Sequence, residues 1–174
     1  FFETLTLFMH YITSLFLFLL IASKLDAQNV LIDSKYHSPL GIPLQLSATF
    51  GDIRPNHFHM GLDFKTNQKE GIPIYSIFDG YISRIRISPT GYGRVLYIDH
   101  PNGITSVYAH CSAFENEISD FIRPFQVEAF SNNIDLKLEK TDFPVKKGQL
   151  IALSGNSGSS TGPHLHFEIR DTKT

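Results

Sequence analysis

The sequence predicts a mainly β fold, a small antiparallel sheet, sandwich or barrel, with one short helix. Most of the chain after residue 43 consists of short runs rich in Ile, Val, Tyr and Phe, separated by Gly, Pro, Asn and Asp. Runs at this spacing are typical of antiparallel β domains. The Asn102-Gly103 pair between two runs is a strong hairpin signal. A single segment repeats its apolar residues at helical spacing.

Each predicted strand combines β-branched or aromatic residues with flanking turn residues. In chain order, the predicted strands are 44–50, 58–64, 75–77, 80–87, 95–100, 104–110, 150–153 and 164–170.

The predicted helix covers residues 113–123. Ser112 and Glu115 have the spacing of a capping box, and Pro124 is placed to end the helix. Residues 124–143 have weak periodicity, so we interpret 112–143 as an insertion in the β domain. Long excursions of this kind are often lids or binding loops. A lid over the site and a merely tolerated insertion both remain open.

The chain divides into a leader, a short extension and one domain. Residues 1–27 contain an apolar run at 11–22 and predict a secretory signal cleaved after Ala27. A membrane anchor is the rival, although the run is short for a span of about 20 residues; a buried helix is a third reading. We expect export to the periplasm or cell surface, with contact to a membrane only if the leader is uncleaved. Residues 28–49 form the extension, and 50–174 form the domain, which we expect to continue beyond Thr174.

Composition excludes several classes of function. The 15 Lys and Arg residues nearly balance 17 Asp and Glu residues, and the pI of about 6.5 argues against a nucleic-acid partner. Cys111 is the only cysteine, so neither a disulfide framework nor a cysteine-rich zinc site can form. Any metal must therefore be held by His, Asp or Glu.

The histidines of the last predicted strand have the spacing of ligands. His164 and His166 are two residues apart, so they share one face of a strand while Leu165 and Phe167 face the other way. His59 and Asp63 are four residues apart, and an imidazole and a carboxylate at this spacing can also converge. Two His and one carboxylate form a catalytic zinc set with a fourth position left for water.

The prediction is therefore that His59, Asp63 and His166 bind one zinc ion. His164 and His110 are candidate acid–base residues because the pKa of histidine lies near neutrality. We predict that His37 and His100 are solvated, since neither has a partner in the sequence. A Cys111–His110 nucleophile pair is disfavoured because neighbours on a strand point to opposite faces.

These motifs resemble those of the lysostaphin-type (LytM-like) zinc metallopeptidases. The resemblance rests on HMGLD at 59–63, YAH at 108–110, SGNSG at 154–158 and STGPHLHFE at 160–168. It covers about residues 50–170 and implies a small antiparallel β domain with a groove across the sheet. It further implies cleavage of peptide bonds in bacterial peptidoglycan, zinc on His59, Asp63 and His166, and catalytic roles for His110 and His164.

Three other functions remain open. A non-catalytic module of the same fold could bind the cell wall or activate another hydrolase. A protease acting on ordinary proteins is the second alternative, and a purely structural β domain is the third. The sequence leaves open which cross-link is cleaved, since a direct cross-link to a diamino acid and a glycine bridge both fit.

Overall fold

Antiparallel pairing of short strands builds most of the fold. A computed structural model describes residues 36–55 and 57–173. Within these ranges the elements are β1 (Leu46–Ala48), β2 (Leu62–Lys65), β3 (Pro73–Tyr75), β4 (Gly80–Ile87), β5 (Arg94–Asp99), β6 (Ile104–Cys111), β7 (Ala113–Phe114), α1 (Asn116–Glu128), β8 (Ile134–Lys137), β9 (Pro144–Val145), β10 (Leu150–Leu153) and β11 (His164–Asp171). The predicted mainly β, antiparallel fold with a short helix is confirmed.

The main sheet brings distant parts of the chain together. Its strand order is β1-β2-β11-β6-β5-β4-β8, with β9 paired to the start of β4, and a smaller sheet has the order β3-β10-β7. The predicted hairpin joins β5 to β6, and the amide of Gly103 donates to the carbonyl of His100 at 3.0 Å in its turn. The last strand, β11, thus lies between β2, which carries Asp63, and β6, which carries His110.

Strand alternation separates an apolar core from a polar face. Leu165 and Phe167 of β11 enter the core with Ile85 of β4, and Ile151 of β10 meets them from the smaller sheet. Burying side chains of this size stabilises the fold by about 1.5–3 kcal/mol each. His164, His166 and Glu168 alternate with these core residues and therefore lie on the opposite face of the main sheet.

The predicted helix exists, but its predicted bounds are wrong. Helix α1 begins after Glu115, whose side chain accepts from the amide of Glu117, and it continues through Pro124 to Glu128. Ser112 caps nothing, because its hydroxyl donates to the carbonyl of Ser154 at 2.8 Å.

An interior proline costs about 3 kcal/mol. Ile118 and Ile122 are only 1% and 4% exposed. Burying two such side chains contributes about 3–6 kcal/mol, which offsets the cost of the interior proline, so the helix continues beyond it.

The prediction that His100 is solvated is wrong, whereas His37 is exposed as predicted. His100 is 5% exposed and packs edge-on against Phe78. Its Nδ1 donates to the carbonyl of Asp79 at 2.9 Å, and its Nε2 is 2.7 Å from the Ser106 hydroxyl. This imidazole therefore belongs to a buried hydrogen-bond network away from the predicted site.

The predicted leader, residues 1–27, lies outside the described residues, as does the start of the extension. From residue 36 onward the extension packs on the domain: Leu40 is 2% exposed and bridges to Ile74 of β3. Among the described residues, no helix has the length and apolar character that a membrane crossing requires.

Candidate metal centre and catalytic groove

The predicted ligands His59, Asp63 and His166 converge on one point. Asp63 on β2 is directly opposite His166 on β11 in the antiparallel register. Its Oδ1 lies 2.9 Å from His166 Nδ1 and 3.0 Å from His59 Nε2, and these two nitrogens are 2.9 Å apart. All three residues are buried. The structure thus brings together the three residues that the motifs single out.

His59 reaches this point from an irregular segment, since β2 begins only at Leu62 and not at the predicted residue 58. Gly61 explains the close approach of this segment to β11. A Cβ at Gly61 would collide with the carbonyl oxygen of Phe167 and the side chain of Glu168. The glycine of the HMGLD motif therefore lets His59 come within reach of His166.

The hydrogen bonds around the three donors leave their lone pairs facing one another. His59 Nδ1 donates to the carbonyl of Thr49 at 2.7 Å, and His166 Nε2 donates to Glu168 Oε1 at 2.8 Å. Because each neutral imidazole carries one proton, His59 Nε2 and His166 Nδ1 are both acceptors. Two imidazole lone pairs and one carboxylate oxygen that face a common point suit a cation, and this donor set fits zinc.

Charge at the centre favours the ionised carboxylate. Burial opposes ionisation of Asp63, but its close contacts with the imidazoles of His164 and His166 outweigh burial and hold the pKa of the carboxyl well below its usual range. Arg54 adds an ion pair to the second oxygen, Oδ2, at 3.1 Å. One oxygen of Asp63 is thereby held by the arginine, while the other faces the two histidines.

Glu168 orients His166 from behind, a role that the sequence analysis missed. Its side chain is 1% exposed and also accepts from the Tyr92 hydroxyl and from Nε of Arg170. Burial raises the pKa of Glu168, but hydrogen bonds from His166, Arg170 and Tyr92 outweigh it and lower the pKa to about 2. Strand alternation places Glu168 on the same face as His164 and His166, so the sequence contained the pattern that indicates its position beside His166.

The two remaining histidines lie beside the centre with matched tautomers. His164 Nδ1 donates to the carbonyl of Gly162, and His110 Nδ1 donates to the carbonyl of Ser157, both at 2.8 Å. Each ring therefore presents an unprotonated Nε2 when neutral. The ring centroids are 4.7 Å apart, and His164 Nε2 lies 3.5 Å from Asp63 Oδ1.

His110 is held in an unusual backbone conformation. Its φ of 60° is in the left-handed region, which costs a residue other than glycine about 1–3 kcal/mol. Its amide donates to the carbonyl of Tyr92 at 2.9 Å, so the residues before β5 hold its backbone. Burial lowers the pKa of His110 to about 4, so the ring is neutral at pH 7.

The turn that precedes β5 and the Gly/Ser-rich turn that precedes β11 interlock and hold these histidines. Ser157 accepts from the amide of Arg94 and donates to the carbonyl of Cys111, and Ser159 donates its amide to the carbonyl of Gly91. Gly158 has a φ of 74°, and a Cβ there would collide with the backbone of the other turn at Gly93. The Gly/Ser-rich motif is therefore required for the fit of two turns, with one turn supporting His110 and the other leading to His164.

All five predicted site residues line one groove of about 750 Å³. Its lining includes residues 47–48 of β1, residues 54–55, 57 and 59–60, residues 90–92 before β5, and residues 159–163. His57 lines the groove beside His59. In the described part of the chain, no residue of the 112–143 excursion lines it.

Residues 57–174 match the family described as Peptidase family M23. The chain belongs to this family. The recognition of a lysostaphin-type domain from its motifs is thereby confirmed.

Relatives and a solved structure agree with this assignment. An uncharacterized metalloprotease of Haemophilus influenzae is 36% identical over 68% of this chain and 19% of its own length. The peptidoglycan DD-endopeptidase ShyB of Vibrio cholerae is 35% identical over 64% of this chain and 20% of its own length. The catalytic domain of the antimicrobial peptidase lysostaphin from Staphylococcus simulans shares 25% identity at a TM-score of 0.52, over 72% of this chain and 79% of that domain. The chain thus spans about a fifth of the length of these two relatives.

Proposed function

We propose that the protein is a zinc metalloendopeptidase that hydrolyses the peptide cross-links of bacterial peptidoglycan. The observation that carries the proposal is the convergence of His59, Asp63 and His166 at 2.9–3.0 Å in a groove with two further histidines. Membership of Peptidase family M23 supports peptide-bond hydrolysis. The substrate is proposed from relatives such as ShyB, which is named a peptidoglycan DD-endopeptidase.

His59 Nε2, Asp63 Oδ1 and His166 Nδ1 would hold the metal. Zinc bound there lowers the pKa of a water ligand towards about 7 and polarises a substrate carbonyl. The low pKa of Asp63 keeps its carboxylate ionised at neutral pH. Glu168 fixes the ring of His166 by accepting from Nε2, so that Nδ1 faces the other two donors.

His110 and His164 would move the protons of the reaction. Both carry a proton on Nδ1 through a bond to a backbone carbonyl, so Nε2 is the atom that accepts a proton from the attacking water. The protonated ring can then donate to the leaving amine or to the oxyanion on the scissile carbonyl. Hydrolysis of an amide needs both steps, and two histidines whose rings are 4.7 Å apart provide them.

We also propose that the protein acts outside the cytoplasm. The support is the apolar run at 11–22 and the location of the proposed substrate.

The test is release of soluble muropeptides from purified peptidoglycan, with a chelator and then with zinc added back. We expect release to stop with the chelator and to return with zinc. His166→Ala should lose both bound zinc and activity, whereas His110→Ala should keep zinc and lose activity. His37→Ala is the matched control, because this exposed imidazole lies outside the groove. Absence of release by the zinc-loaded wild-type protein would refute the proposed function and favour a binding module.

A further inference from the structure

Arg86 lines the groove that holds the candidate metal centre. It follows Ile85, which is fully buried in the core, and it therefore lies on the opposite face of the sheet. Its register partner on β5 is Val95, which belongs to a small apolar cluster beneath the groove. Arg86 and the proposed catalytic histidines line the same cavity. A substrate that lies along the groove therefore passes this guanidinium.

The other arginines on this face are held by protein groups. Arg84 binds Asp135 through two hydrogen bonds of 2.6 Å and lies over the ring of Tyr97. Arg170 binds Glu168 and also lies over the ring of Tyr97. Two short hydrogen bonds thus fix the guanidinium of Arg84, and Arg170 is fixed by Glu168 and the hydroxyl of Tyr92.

Arg86 differs from both. Its ion pair is a long contact of 3.8 Å from Nε to Asp135, whose oxygens Arg84 already binds. Among the described residues, its terminal amino groups have no hydrogen-bond partner, and the side chain is 45% exposed. A guanidinium offers a planar pair of N–H donors that matches a carboxylate.

The charges of the groove also favour an anionic ligand. Asp63 is the only acidic residue among the described groove-lining residues, and it faces the metal centre and Arg54. Arg54 and Arg86 are the basic residues of this lining. Arg54 has an ion pair with Asp63 at 3.1 Å, whereas the ion pair of Arg86 is 3.8 Å long, so Arg86 is the less engaged of the two groove arginines.

We propose that Arg86 is a specificity residue that binds a carboxylate of the substrate peptide beside the scissile bond. The proposal rests on the proposed function and deepens it. A stem peptide cross-linked through a diamino acid can carry a carboxylate next to the bond that is cleaved, whereas a glycine bridge carries none. Arg86 thus favours acidic stem-peptide cross-links over glycine bridges.

The test uses three cross-linked peptide dimers of one sequence. The first has all carboxylates free, the second has the side carboxylate beside the cross-link amidated, and the third has the terminal carboxylate amidated. Wild-type kcat/KM should be about tenfold higher for the first dimer than for one of the amides, since charge-assisted bonds of this kind are strong. The amidated dimer with the lower kcat/KM identifies which carboxylate Arg86 binds.

Arg86→Gln should lower kcat/KM on the free acid about tenfold and leave the affected amide unchanged. Arg86→Lys should restore only part of the preference, because a lysine keeps the charge without the planar fork. Arg123→Gln, on the exposed surface of α1, is the matched control for loss of one positive charge. Binding of the same dimers by calorimetry provides an independent readout.

The outcomes separate the two proposals. Equal cleavage of all three dimers by the wild-type protein, unchanged in Arg86→Gln, overturns the role of Arg86 and leaves the proposed function intact. In a second outcome, no dimer is cleaved, but the wild-type protein binds the free acid more tightly than the amides and Arg86→Gln abolishes this preference. That outcome overturns the proposed function and supports the Arg86 site. Absence of both cleavage and acid-selective binding overturns both.

Discussion

Glu168 is predicted to set the affinity of the metal centre without contacting the metal. The substitution Glu168→Gln preserves the shape of a side chain that is 1% exposed and removes its charge. The amide can still face His166, Arg170 and Tyr92, but it cannot hold three donors as a carboxylate does. We expect weaker orientation of the His166 ring and weaker binding of zinc.

The size of the effect follows from the pKa of Glu168. Its fall from 4.5 to about 2 corresponds to roughly 3 kcal/mol of preference for the carboxylate. If His166 accounts for about a third of this free energy, its share is about 1 kcal/mol, or about fivefold in an equilibrium constant. Loss of such an outer partner costs about 10- to 100-fold in metal affinity, so we expect a decrease of about tenfold.

The assay is competition for zinc between the protein and a chromophoric chelator. Glu70→Gln, an exposed glutamate between β2 and β3, is the matched control. Thermal unfolding of the metal-free proteins measures any general loss of stability separately. Zinc affinity of Glu168→Gln equal to that of the wild type would refute the role of Glu168 in orienting His166.

Three further changes test the fold around the site. Gly158→Ala should lower the free energy of unfolding by about 1–3 kcal/mol and reduce activity, whereas Gly162→Ala, where a Cβ meets nothing within 4 Å, should leave stability near wild type in urea titrations. Burial lowers the pKa of His100 below 6.5, so the unfolded state binds this proton first as the pH falls and the folded state loses stability. Between pH 7.5 and 5 the wild type should therefore lose more stability than His100→Gln, and equal losses would exclude this histidine as the cause. Ile85→Ala, at a fully buried core position, should cost about 2–5 kcal/mol in the same titrations, and a loss below 1 kcal/mol would contradict its place in the core.

Local patterns predicted the parts of the site that depend on a single segment. The shared face of His164 and His166 follows from strand alternation, which needs no tertiary information. The hairpin at Asn102-Gly103 is likewise a local property of the turn. The pairing of β2 with β11, which places Asp63 opposite His166, joins segments about a hundred residues apart, and the family resemblance supplied the expectation that they meet. The roles of these residues in binding zinc stay a prediction.

The errors occurred where distant groups compete for a side chain. Ser112 has the sequence of a helix cap, but the carbonyl of Ser154 takes its hydroxyl, and the chain forms strand β7 before the helix begins. His100 has no nearby partner in the sequence, yet the carbonyl of Asp79 and the hydroxyl of Ser106 make its burial possible. Neither partner can be identified until the sheet is assembled.

The interlocked turns also have a consequence for how the protein loses activity on heating. The carbonyl of Ser157 orients His110, and the hydroxyl of the same residue bonds to the amide of Arg94 and the carbonyl of Cys111. Arg94 begins β5 and Cys111 ends β6, which are two central strands of the main sheet. The support of His110 is therefore continuous with the middle of the main sheet, where local opening requires nearly global unfolding. Heat inactivation should then coincide with the loss of the fold, with no range of temperature in which a folded protein has a disordered His110.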